Sequence, residues 1–216
     1  MGDFFWTRFR LRLRQLADGG FVRYKNFYDI MNIINMEKRV FFSIPLSPGV
    51  KNKIKSVLGR HDLPWKIEPE EKWHITLNFI GGVDDNGLAK LVFIGKEVAS
   101  KIKNFEIKIK NLTYAPSAQN PRMLWVDVEN NKSLDQLKKL IDDEIFNSNI
   151  PYRIDFPIYN PHVTLAKFGT KDKLSLPENL NEKIDSMMAV DKFDLMESLL
   201  GRPKSRYEIL ERYELG

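Results

Sequence analysis

The chain has 216 residues, of which 43% are apolar, 12% aromatic and 29% charged, the proportions of a globular protein with enough material for a core. Its 34 Lys+Arg against 29 Asp+Glu leave a net charge of +5, compatible with an anionic substrate or nucleic acid without demanding one. It has no cysteine, which excludes disulfides, thiolate metal sites, iron–sulfur clusters and a cysteine nucleophile. No run approaches the ~18 apolar residues of a membrane helix.

Residues 1–36 differ from the rest of the chain. "RFRLRLR" at 8–14 alternates arginine with Phe9, Leu11 and Leu13, so on a strand the arginines would share one face. The segment is read as an extension outside the fold, either disordered or a basic arm. The N-terminus lacks the apolar stretch of a secretory signal. Trp6 stands where a Gly2 myristoylation motif wants Ser or Thr. A cytoplasmic location is the expectation.

Regular patterning begins near Lys38, and residues 37–216 are taken as one domain. "KRVFFSIPL" reads as a strand. "SPGVKNKIKSVL" reads as a helix with Ser47 as N-cap, Pro48 at the first helical position and a stripe of Val50, Ile54, Val57 and Leu58. "WHITLNFI" is a strand closed by Gly81-Gly82, and residues 84–102 suit a helix. "FEIKIKNLTY" alternates as a half-solvated strand does, and "RMLWVDVEN" is a further strand. "SLDQLKKLIDDEIF" opens with a capping box, Ser133 to Gln136. "HVTLAKF" is a strand, "PENLNEKIDSM" a short helix, and "AVDKFDLMESLL" and "SRYEILERYEL" two closing strands joined across Gly201-Arg202-Pro203. Paired strands with helices between them favour α+β with antiparallel sheets.

Two of the three histidines head the similar stretches "HITLNFIG" and "HVTLAKFG". Residues i and i+2 of a strand share a face. His74 therefore lies with Thr76 and His162 with Thr164, while Ile75, Leu77, Val163 and Leu165 point to the core. A lone strand histidine is more often a hydrogen-bonded structural residue. The repeat raises the odds of chemistry, although duplication of a structural strand would also produce it. If both strands face one groove, one imidazole can accept a proton while the other donates one. Hydroxyls hydrogen-bond anionic oxygens, no carboxylate lies within either motif, and no HExxH spacing exists. The set suits displacement at phosphorus with no metal and no cofactor. Lys167 is the nearest cation.

These stretches resemble the signature motifs, H-x-T/S-x, of the two-histidine phosphoesterase superfamily, and within it the RNA 2',3'-cyclic phosphodiesterase, or 2'-5' RNA ligase, family. The resemblance runs from Glu37 to Leu215, through "KRVFFSIPLSPGV", "NPRMLWVDVENNKSLDQLKKLIDDEI" and "MESLLGRPKSRYEILERYEL". It implies a bilobed α+β fold: two pseudo-twofold-related antiparallel sheets line a central groove, with helices outside. It implies hydrolysis of a 2',3'-cyclic phosphate on RNA to a 2'-phosphomonoester, with ligation as the reverse reaction. On that mapping His74 is the proton donor, His162 the proton acceptor, and Thr76 and Thr164 hold phosphate oxygens. Lys167 stands where the family often has Arg, and Phe79 where it has an aromatic. The expected partner is RNA with a cyclic phosphate end, bound by a monomer without a membrane or an obligate protein partner. Two alternatives remain open: a phosphodiesterase of another branch, acting on 2'-5' oligonucleotides or ADP-ribose cyclic phosphate, and an RNA- or nucleotide-binding module without turnover.

Overall fold

A computed structural model gives the fold and describes residues 37–63, 66–150, 159–168, 180, 182–199, 201 and 205–216. The basic stretch within 1–36, the joint at 202–204 and residues 177–179 fall outside the described residues. Strands are β1 (Lys38–Pro45), β2 (His74–Val83), β3 (Phe105–Ala115), β4 (Met123–Val128), β5 (His162–Lys167), β6 (Lys183–Val190), β7 (Lys192–Leu199) and β8 (Arg206–Glu214). Helices are α1 (Pro48–Leu58), α2 (Asp85–Lys101) and α3 (Lys132–Asn147).

Local chemistry accounts for the helix starts. Ser47 accepts from the Val50 N–H at 3.4 Å with Pro48 in the first turn, and Asp84 accepts from the Gly87 N–H at 2.7 Å. The start of α3 differs from expectation. Its N-cap is Asn131, whose side chain accepts from the Leu134 N–H at 2.9 Å, and Ser133 already lies inside the helix. Asn131 has extended backbone angles, φ −138° and ψ 169°, which aim its amide oxygen at the first turn.

A second difference concerns the expected helix at "PENLNEKIDSM". Residues 183–190 form a strand instead, with Ile184, Ser186, Met188 and Val190 buried in strict alternation and with β3 as antiparallel partner. Helix-compatible Lys183, Met187, Met188 and Ala189 lose here to period-two burial. Asp191 then separates β6 from β7, so the single strand expected at 189–200 is divided.

The strand order is β6-β3-β4-β5-β2-β1-β7-β8, with every neighbour pair antiparallel. It falls into two halves, β6-β3-β4-β5 and β2-β1-β7-β8, each ending inward on a histidine strand. The halves meet at one register pair, Ile75↔Val163, so the two expected sheets are present and join into one curled layer. α1 packs on β6, α2 on β2, β7 and β8, and α3 on β2 and α2. Ile75, Leu77, Val163 and Leu165 belong to one continuous core with the helix stripes. At α2 the packing is close: a side chain on Gly95 would overlap the Tyr213 ring.

Candidate active site

The pair Ile75↔Val163 sets the geometry of the site. Counting outward from it in antiparallel register, His74 falls opposite Thr164 and Thr76 opposite His162. All four lie on the face away from the core. Directly opposed positions are ~5 Å apart at Cβ and diagonal ones ~7–8 Å. The motifs thus form a square with imidazoles on one diagonal and hydroxyls on the other. All four residues are half-buried. No hydrogen bond engages either threonine hydroxyl among the described residues.

Both histidine strands carry a β-bulge at the leucine of the motif. Beside β1, Thr76 pairs with Ser43 and Asn78 with Phe42, so Leu77 is the extra residue. Beside β4, Thr164 pairs with Trp125 and Ala166 with Leu124, so Leu165 is the extra residue. A bulge shifts the alternation of side chains by one. Phe79 and Lys167 would otherwise point to the core. They are turned onto the face of the threonines, as their partners Phe41 and Met123 show. Phe79 is 43% exposed and stacks on Phe41 with ring centroids 5.3 Å apart. Lys167 is exposed, with no ion-pair partner among the described residues.

The His162 Nδ1–H donates to the Asn160 carbonyl at 2.9 Å, which turns Nε2 toward the groove. The Lys72 backbone, two residues before His74, favours the protonated form of that imidazole. Their surroundings differ. His74 lies 5.1 Å from the Phe41 ring and 5.3 Å from Tyr207, which meets it edge-on. Burial pulls the His74 imidazole from 6.5 down to about 4; the Lys72 backbone opposes the fall, His162 adds to it, and Asp194 opposes it. His162 stacks on Trp125 at 3.6 Å and 15°. Burial lowers its pKa too, against the Asn160 bond and the Asp127 carboxylate. Burial raises the Asp127 carboxyl in turn.

Several of these residues were not singled out in the sequence. Trp125 and Asp127 alternate in "MLWVDV", so the face they share was legible once β4 was placed beside β5. Phe41, Tyr207 and Asp194 had no local signal. Asp194 is buried and held by Arg212 through Nε at 2.7 Å and Nη2 at 2.9 Å. It lies in register with Ser43, and Ser43 with Thr76.

Comparison with known proteins bears on the fold. The family described as LigT like Phosphoesterase matches residues 44–125. The RNA 2',3'-cyclic phosphodiesterase of Bacillus subtilis is 26% identical over 181 residues, covering 82% of this chain and 96% of its own. Among solved structures, TT0787 of Thermus thermophilus superposes with a TM-score of 0.71 at 21% identity, covering 82% of this chain and 97% of its own. E. coli LigT complexed with 3'-AMP gives a TM-score of 0.68 at 22% identity, covering 83% of this chain and 98% of its own. In the matched family model, in the relatives that span most of the domain and in the fold, the chain is similar to the LigT-like phosphoesterases.

Proposed function

We propose that the protein hydrolyses the 2',3'-cyclic phosphate of RNA ends to a 2'-phosphomonoester, the activity named for its Bacillus subtilis relative. The observation that carries this reading is the square of His74, Thr164, His162 and Thr76 around Ile75↔Val163. Water attacks phosphorus and gives its proton to His162 Nε2. The P–O3' bond breaks, and His74 delivers a proton to O3'. Thr76, Thr164 and Lys167 hold the non-bridging oxygens, and Phe79 offers a ring face beside the groove. Both imidazoles are biased toward the neutral form in the free protein. The phosphodiester charge must therefore draw the catalytic proton in, and substrate itself assembles the acid–base pair. No membrane enters the proposal, and no described helix is long and apolar enough to cross one.

A second division of labour is favoured by one observation. His162 has the Trp125 face beneath it and Asp127 opposite, both of which favour an imidazolium; it would then be the donor and His74 the acceptor. A cyclic phosphate with sulfur in place of O3' separates the two, because a thiolate leaves without protonation. The variant lacking the donor regains activity on it, and the variant lacking the acceptor does not. Substrate class is tested by product analysis on RNA 2',3'-cyclic phosphate, a 2'-5' oligonucleotide and ADP-ribose 1'',2''-cyclic phosphate. The proposal expects a 2'-phosphate from the first as the preferred reaction. Preference for either other substrate would replace it with another branch, and binding without turnover of all three would leave a binding module.

A further inference from the structure

The two halves of the sheet share one register pair, Ile75↔Val163, and each histidine is the first residue of its strand. Ladder hydrogen bonds alone hold the motifs together weakly at the point where spacing matters most. A bond outside the ladder crosses this seam. The Tyr159 hydroxyl, on the segment leading into β5, donates to the Thr76 carbonyl at 2.9 Å. The next residue, Asn160, supplies the carbonyl that anchors His162 Nδ1. Adjacent residues of one segment thus grip the first motif and the second.

The grip is itself supported. Lys138 of α3 places its ammonium 5.7 Å from the Tyr159 ring centroid and pairs with Asp142 at 2.5 Å. Asp142 accepts from the side chain of Asn78, buried on β2 two residues past Thr76. The contacts close a ring from β2 through Tyr159 and α3 back to β2. Burial raises the Tyr159 phenol, which keeps the hydroxyl a donor.

We propose that Tyr159 is a positioning residue that fixes the separation of His74 and His162 by clamping the β5 lead-in to the Thr76 carbonyl. The proposal rests on the two-histidine reading above. It does not place Tyr159 in contact with substrate. A misplacement of ~1 Å between reacting groups can lower a rate ~100-fold, so the clamp acts on turnover more than on binding.

The test is Tyr159→Phe beside Tyr213→Phe. Tyr213 also has a buried hydroxyl, but one without a hydrogen-bond partner among the described residues. On an RNA 2',3'-cyclic phosphate, Tyr159→Phe is expected to lower kcat at least ~10-fold with KM within about threefold. Tyr213→Phe should stay within about twofold of wild type in both. A kcat for Tyr159→Phe within twofold of wild type, while His74→Ala and His162→Ala are inactive, overturns the clamp and leaves the two-histidine reading standing. If wild-type protein turns over no cyclic phosphate, that reading fails, and imidazole titrations by NMR decide the clamp separately. Tyr159→Phe must displace the His74 or His162 titration where Tyr213→Phe does not, and unchanged titrations overturn it.

Discussion

His74→Gln should remove a specific part of the protein's acid sensitivity. The His74 imidazole has a pKa of about 4 in the folded protein against 6.5 when unperturbed, chiefly because burial disfavours the cation. Between those values the unfolded chain binds more protons than the folded one, so stability falls as pH drops from 6.5 toward 4 and levels off below. Above 6.5 both states are neutral at this site, and its contribution to pH dependence vanishes. The displacement corresponds to about 3 kcal/mol lost across the window. Glutamine keeps a hydrogen-bonding side chain at the head of β2 and has no proton to gain. Urea unfolding at a series of pH values from about 8 to about 4 measures the effect. At high pH the variant is expected to be equal or less stable because it loses the Phe41 and Tyr207 ring contacts. The difference between variant and wild type should then move in the variant's favour by about 3 kcal/mol at the acid end. Parallel stability curves would show that His74 titrates at an ordinary value and that the groove does not desolvate it.

Gly95→Ala should destabilise the fold by about 1–3 kcal/mol, because the added methyl overlaps the Tyr213 ring that packs on α2; urea unfolding checks it, and an unchanged midpoint contradicts the packing. Lys167→Ala should raise KM for a cyclic phosphate ~10-fold, whereas Lys167→Arg, which adds a bidentate fork at the same place, should leave KM equal or lower. Trp125→Leu should lower the His162 titration measured by NMR, because the ring face that favours the imidazolium is lost; an unchanged titration would remove Trp125 from the electrostatics of the site.

The histidines, their threonines and the core-facing residues between them could be read from sequence because alternation is a local property of a strand. The faces of Phe79 and Lys167 could not be read in the same way. They lie three residues past Thr76 and Thr164, an odd spacing that strict alternation assigns to the core. The bulges at Leu77 and Leu165 reverse that, and a bulge depends on the register of the neighbouring strand, β1 or β4. The same limit hid β6. Ser186 occupies a core-facing position in "KIDSMMAV" and interrupts its apolar alternation, so only pairing with β3 reveals the strand. At α3 two plausible caps stand two residues apart, and the extended backbone of Asn131 decides between them. Tyr159 gave no signal at all, since its partner Thr76 lies 83 positions away in sequence.

Catalysis by both imidazoles is tested most directly by hydrolysis of an RNA 2',3'-cyclic phosphate in EDTA, comparing wild type with His74→Ala and His162→Ala, each verified as folded by circular dichroism. Wild type should release the 2'-phosphomonoester, and each variant should be slower by ~100-fold or more, the range in which a positioned acid or base contributes. Near-wild-type turnover by either variant would contradict the two-histidine mechanism.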